Sequence, residues 1–326
     1  MAKIEEDLRA LDRLHGKVAV VGSMNVDYTI TAPHLPEPGE TVTGGPLALL
    51  PGGKSGNQAA AAALLGAQVQ MFGAVGNDSN ADFLLAHLKD AGVDASQVRH
   101  VEGPSGLTVI TVDDAGENTI VYSPGSNAKV DVEYVMSKQG ALTDASVLGL
   151  CLESPMETVT ECARLCHDAG VTVLLNNSPF RPDLPQELID HADILLLNEV
   201  EMTQLLGIDA PEDDDWSDFD WEDAVNRLAA FGFRQTVVTL GGDGSMVLDA
   251  TADEHVTHID PVRIEPVDTT GCGDSFMGTI LAALSSGLTL VQAANLASYV
   301  SAYAATGRGA QASYGTPAEI REKFGA

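Results

Sequence analysis

The sequence predicts an α/β fold of three layers, with a mostly parallel central sheet, helices on both faces and a small β-sheet lid. Three observations predict it. Short β-branched runs alternate with helical stretches of roughly ten to fifteen residues, the pattern of right-handed crossovers that cover a parallel sheet on both sides. Between residues 107 and 125 that alternation gives way to two adjacent β-rich runs joined by a short turn, which form a hairpin. The chain is also 44% hydrophobic and only 20% charged, enough to bury a large core.

Taken in order, MAKIEEDLRALDRLHG (1–16) alternates charge with Leu at helical spacing and has no apolar run of the kind an export signal needs, so it is expected to be an exposed helical extension. One domain is expected from 17 to 326. KVAVVGS (17–23) is a buried strand ending in Gly and Ser. A Pro- and Gly-punctuated stretch then feeds the Ala-rich helix 57–67, followed by strand 68–76 and helix 79–92. LTVITVDD (107–114) and NTIVYSPG (118–125) make the hairpin, and with TVTGG (41–45) they form the lid, built from segments near 28–50 and 106–125. From 146 the alternation resumes, with strands SVLGLCLE, VTVLLNN, DILLLN and QTVVTLGG and helices 156–170, 199–206 and 221–232. A last small sheet near 245–263 and three helices complete the chain. Residues 275–307 hold no Asp, Glu, Lys or Arg, but Ser285, Ser286, Gly287 and Thr289 interrupt them, so two buried helices and a turn are expected rather than a membrane span.

The 47 acidic and 17 basic residues give a net charge of −30. Such a polyanion repels nucleic acids and anionic membrane surfaces, so neither is an expected partner. Nine acids and no base fall within 209–224, a solvated surface insertion with no catalytic role. The four cysteines, Cys151, Cys162, Cys166 and Cys272, fit neither a disulfide framework nor a zinc site, and the expected compartment is the cytoplasm.

VDTTGCGDSF (267–276) is the most informative stretch. Two glycines around Cys272 allow a sharp turn whose amide hydrogens point outward at a helix N-terminus, an anion hole made by Gly271, Cys272 and Gly273. Asp274 can cap that helix or face a reacting hydroxyl; the Gly-Cys-Gly run before it favours the second, since a cap does not need two flexible residues. These parts suit transfer of a nucleotide's terminal phosphoryl group to an alcohol, with Asp274 as base and the amides holding the charge on the moving oxygens.

The same stretch resembles the DTxGAGD signature of the ribokinase or PfkB-type carbohydrate kinase family, with Cys272 where Ala is usual. GSMNVD (22–27), LPEPGETVTG (35–44), PGGKSGNQAAAAALLGA (51–67), LESP (152–155), LNEVE (197–201), TLGGDG (239–244) and TGRGAQAS (306–313) extend the resemblance over nearly everything from residue 17 onward. It implies a ribokinase-like fold and ATP-dependent phosphorylation of D-ribose on its primary hydroxyl, with Mg²⁺ and stimulation by K⁺. It implies sugar contacts at Asn25, Asp27, Gly53, Lys54, Asn57 and Glu153, and nucleotide contacts at Asn198, Thr239, Gly241 and Gly244. Glu201 would serve magnesium; Asp268, Thr270, Ala304, Gly309 and Ser313 would carry the monovalent cation. A homodimer clasped through the lids is implied as well. SGN (55–57), NNSPF (176–180) and SPGSN (123–127) depart from the family's pattern; the first is conservative, and the last two bear on the sugar and nucleotide edges.

Three rival readings remain. ALLPGGKS (48–55) nearly fits a P-loop, but Ala48 replaces its first Gly and no strand directly precedes it. GSMNVD lacks the GxGxxG of a dinucleotide site. A sugar-binding protein without catalysis would use Asp27, Lys54, Asn57 and Glu153 alone, and Asp274 separates it from a kinase, because a pure binder needs neither base nor anion hole.

Overall fold

The computed structural model describes residues 7–325. Its strands are β1 (Lys17–Val21), β2 (Asn25–Ala32), β3 (Ala48–Gly52), β4 (Gln68–Phe72), β5 (Ala74–Val75), β6 (Arg99–His100), β7 (Gly106–Asp113), β8 (Asn118–Ser123), β9 (Val147–Leu150), β10 (Thr172–Asn176), β11 (Ile194–Asn198), β12 (Gln235–Thr239), β13 (Ser245–Asp249) and β14 (Val256–Ile259). Eight of these form one sheet in the order β14-β13-β12-β11-β10-β9-β1-β4, parallel from β12 to β4. The strands β13 and β14 add antiparallel to its edge, so residues 245–259 extend the main sheet rather than make a small one of their own.

Alternation along the strands sorts side chains into two cores. Val18, Val20, Leu174, Ile194 and Val237 face one side, against the helices Lys54–Leu64, Cys272–Ser285 and Leu290–Ala304. Ala19, Val21, Leu175, Leu195 and Val238 face the other, against Met156–Asp168, Glu199–Leu206 and Trp221–Phe231. A period of two in a strand buried on both faces produces this division. Among the described residues no helix is long and apolar enough to cross a membrane; the uncharged stretch 275–307 is split by the turn at 286–289.

A second sheet, β3-β2-β7-β8, stands apart; β7 and β8 are the expected hairpin. Its other two strands differ from expectation. Residues 41–45 belong to no strand, and β2 and β3 pair antiparallel in their place, with Asn25 opposite Gly52. The N-terminal segment also corrects the sequence reading: Leu8, Leu11 and Leu14 are buried, and His15 and Gly16 donate backbone N–H bonds to Ser286 Oγ at 3.0 and 3.1 Å. Spacing by three gives that segment one apolar side, and the core covers it.

Candidate active site

The Cys272–Ser285 helix starts from Gly271, at φ +75°, with no side-chain cap. A Cβ on Gly271 would stand 2.5 Å from Ala310 Cβ and 2.7 Å from the Tyr314 hydroxyl oxygen, so only glycine fits both the backbone and the space. Asp274 therefore does not cap. Its Oδ2 accepts from Asn57 Nδ2 at 2.9 Å and its Oδ1 from Gln58 Nε2 at 3.2 Å. Burial raises its pKa above the ordinary carboxyl value; the Lys54 ammonium and the two amides oppose that shift, while Glu153 adds to it. Lys54 is held the other way. Burial alone would lower its pKa, but Asp274 and Glu153 outweigh it, so the ammonium stays charged.

Lys54 is placed by Gly53, at φ +86°, where a Cβ would lie 2.8 Å from the Asn25 backbone nitrogen. The helix begins at Lys54, three residues earlier than the Ala-rich run suggests, so Lys54 and Asn57 lie on its first turn. Glu153 Oε2 accepts the Lys54 N–H at 3.0 Å and also the Ser23 hydroxyl. Asn25 is buried and its Oδ1 accepts from Asn127 Nδ2 at 2.7 Å. Asp27 lies over Gly52 with its pKa raised to about 6, chiefly by burial, against a hydrogen bond from Thr108 and with repulsion from Glu153 and Asp274. Asp27, Lys54, Asn57, Glu153 and Asp274 thus form one electrostatically coupled group.

Asp27 gives a pH signature. The folded carboxyl keeps its proton up to about pH 6, whereas the unfolded one releases it near 3.8. Between those values the folded state binds more protons, so stability falls as pH rises, and the full penalty is present above about 6. Asp27→Asn is expected to raise Tm by several degrees at pH 7.5 and hardly at all at pH 4, while weakening sugar binding. Calorimetric melts at the two pH values check this; equal shifts at both would remove the assigned cause.

A cavity of about 600 Å³ is lined by Thr239, Gly241, Gly244, Cys272, Gly273 and Phe276, among others. It joins the predicted nucleotide loop to the start of the helix that carries Asp274. Within the expected anion hole, the Cys272 N–H is already given to Thr269 O at 3.2 Å, while the Gly271 and Gly273 N–H groups have no acceptor among the described residues. Of the three amides the sequence suggests, two are thus left without an acceptor. The Cys272 thiol is pushed up to about 11, mainly by burial, with Asp268 and Asp274 adding to the shift, so it is no reactive thiolate.

Asn198 and Glu201 make a reciprocal cap on the Glu199–Leu206 helix: Asn198 Oδ1 accepts from the Glu201 N–H at 2.7 Å, and Glu201 Oε2 from the Asn198 N–H at 2.9 Å. Neither lines the cavity. Glu201 nonetheless acts on Lys54 electrostatically, and its Oε1 suits a hard cation. Asp268 joins two loops, accepting the Gly309 N–H at 2.8 Å and the Thr270 N–H at 2.9 Å. Ala304, the last residue of the Leu290–Ala304 helix, accepts the Gly307 N–H on its backbone oxygen, and Ser313 Oγ donates to Ala310 O, so the five predicted cation residues fall on the segments 268–270 and 304–313, which Asp268 ties together. Their donors are oxygens only, and no cluster of three or more His, Cys, Asp or Glu side chains fit to hold a metal occurs among the described residues.

Sequence reasoning missed Ser23, Gln58, Asn127, Gln311 and Tyr314. Asn127 bridges Asn25 and the Met24 backbone. Tyr314 donates its hydroxyl to Gly271 O at 2.9 Å. Asn127 lies in SPGSN and Gln311 in TGRGAQAS, both already notable, but neither stretch says which distant residue it meets. A larger cavity, about 1090 Å³, lies between the N-terminal segment and residues 286–295 and holds none of these groups.

Comparison with known proteins agrees with this geometry. The chain is 32% identical over 317 residues to the ribokinase of Schizosaccharomyces pombe, covering 94% of this chain and 97% of that protein. It is 30% identical over 306 residues to the deoxyribokinase of Salmonella typhi, covering 94% and 97%. The ribokinase of Arabidopsis thaliana, solved with ribose and ATP, superposes with a TM-score of 0.84 at 28% identity, covering 94% of this chain and 98% of that one. Residues 15–317 match the family described as pfkB family carbohydrate kinase. The fold, an Asp274 that does not cap its helix and this match agree: the chain belongs to the pfkB family of carbohydrate kinases.

Proposed function

We propose that this phosphotransferase moves the γ-phosphoryl group of ATP to the primary hydroxyl of D-ribose, giving D-ribose 5-phosphate and ADP. The observation that carries the reading is the placement of Asp274. Its oxygens are held by Asn57 and Gln58, and it begins the same helix as the open Gly271 and Gly273 amides and the cavity. Asp27, Glu153, Lys54 and the Asn25–Asn127 pair hold the sugar's other hydroxyls. Asp274 takes the proton of the primary hydroxyl, the sugar oxygen bonds to the γ-phosphorus, and the bond to the β–γ bridging oxygen breaks. The open amides hold charge on the transferring oxygens, and Lys54 balances the carboxylates around it. Glu201 would hold magnesium, which would supply charge neutralisation on the phosphates. The lid sheet excludes water, which would otherwise be the acceptor.

Purified protein assayed with ATP, Mg²⁺ and a panel of pentoses tests this. Ribose 5-phosphate as the main product supports it. A 2-deoxypentose preferred over ribose would move the chain toward the deoxyribokinase reading. Sugar binding without ADP release would promote the non-catalytic binder.

Two further parts of the proposal have their own tests. The oxygen-lined loops around Asp268 suit a large monovalent cation, so replacing K⁺ by Na⁺ is expected to lower turnover severalfold; indifference to the exchange removes that site. The lid leaves Leu49, Val109 and Val121 exposed on one face of its sheet, an apolar surface that pairing of two lids would cover. Light scattering should give twice the 34.0 kDa chain mass, and a monomer would end the dimer proposal. We place this enzyme in the cytoplasm with its ATP, which cell fractionation checks.

A further inference from the structure

Asp274 is held by a line of side-chain amides that starts near the C-terminus. Gln311 Nε2 donates to Asn57 Oδ1 at 3.0 Å, and Asn57 Nδ2 donates to Asp274 Oδ2 at 2.9 Å. The turn bearing Gln311 is itself fixed. The Ser313 N–H and hydroxyl both bond Ala310 O, the Gly309 N–H bonds Asp268, and the Tyr314 hydroxyl returns to Gly271 O.

The direction of this line follows from its chemistry. An amide side chain has one donating and one accepting end, and Asn57 must turn its NH₂ toward the carboxylate, since the reverse sets two acceptors face to face. Its carbonyl oxygen then needs a donor of its own. Asn57 is only 6% exposed, and Gln311 supplies that donor. The second arm lacks such support: Gln58 Nε2 reaches Asp274, but Gln58 Oε1 is buried without a partner. Only the Asn57 arm is oriented by a third residue.

We propose that Gln311 is a positioning residue for phosphoryl transfer, fixing through Asn57 the orientation in which Asp274 meets the sugar hydroxyl. The proposal rests on the kinase reading above. It gives Asn57 the role of holding the base, where the sequence had suggested only a sugar contact.

Asp274 is faced by Lys54 and Gln58 from the helix of Asn57, by Glu153 beyond β9, by Asp27 on β2, by Cys272 on its own helix and by Tyr314 after the turn. Lys54 is the one cation in that set. Without the Gln311 donor, Asn57 is no longer held with its NH₂ toward Asp274; weakening that hydrogen bond to the ionised carboxylate favours the protonated form, so the acidic limb of the kcat–pH profile moves upward. The deficit is greatest at low pH and shrinks as pH rises.

Gln311→Met keeps the length and apolar bulk of the side chain and removes the donor. Expected are a kcat lower by about tenfold at pH 7, an acidic limb higher by about half a unit, and a little-changed KM for ATP. Asn57→Ala with Gln311→Met should be no slower than Asn57→Ala alone, because Gln311 acts only through Asn57. If Gln311→Met does not fold, Gln311→Asn, whose amide falls one methylene short, carries the same expectations. A wild-type kcat–pH profile, a raised sugar KM with unchanged kcat, or additive losses in the double variant would each overturn the proposal. Wild-type protein run alongside keeps the two readings apart. No sugar phosphorylation there ends the kinase reading and this role with it, whereas normal wild-type turnover beside an unaltered variant ends this role alone.

Discussion

Asp274→Asn is expected to lower turnover by about a hundredfold or more while ATP still binds. The replacement keeps the size of the side chain but removes the one group at the helix start able to take the hydroxyl proton. It also turns one amide NH₂ toward Asn57 or Gln58, both of which offer donors to that position. Some local rearrangement accompanies the loss of the base. ADP release measured at saturating sugar and ATP, beside calorimetric titration with a non-hydrolysable ATP analogue, separates chemistry from binding. Near-normal turnover would assign the proton to another group.

The second large effect belongs to Gly271→Val. A side chain there meets Ala310 and Tyr314 at distances no Cβ tolerates, on a backbone whose φ of +75° disfavours it further. A loss of roughly 2 to 4 kcal/mol of stability is expected from strain and overpacking together. Turnover should fall by about a hundredfold, since the open amides on either side of Cys272 shift with the helix start. Gly273→Ala is the control. Gly273 is exposed, and a Cβ on it meets nothing within 4 Å, so stability should hardly change. Denaturant melts and kcat for the two variants check the contrast, and equal losses would end the special role of Gly271.

That contrast also shows what the sequence could carry. Two glycines around Cys272 suggest a flexible turn, yet only Gly271 has the backbone that requires one. The strand and helix alternation was legible because buried strands and amphipathic helices differ in period, and the Glu199–Leu206 helix matches at both ends. Residues 245–259 misled because a strand has the same pattern whether it joins a large sheet or makes a small one; only its pairing partner differs. The β2 strand, NVDYTITA, alternates strictly, with Val26, Tyr28, Ile30 and Ala32 between polar residues, and was missed because it sits in a Pro- and Gly-punctuated region and its pairing partners β3 and β7 are not legible from that pattern. In the N-terminal segment, Leu at helical spacing was visible, but the surface that covers it lies more than 250 residues away in sequence. Several residues named from a recognisable motif, Asn57 and Asp274 among them, lie together in the structure. Gln58, Asn127 and Gln311 were not, because each works through a partner distant in the chain.

The bond from Gln311 to Asn57 spans 254 positions. During synthesis, Asn57 therefore leaves the ribosome long before Gln311, the residue proposed to orient it. On the proposal above, a growing chain that has already folded its sheet gains the full alignment of Asp274 only once residue 311 has emerged.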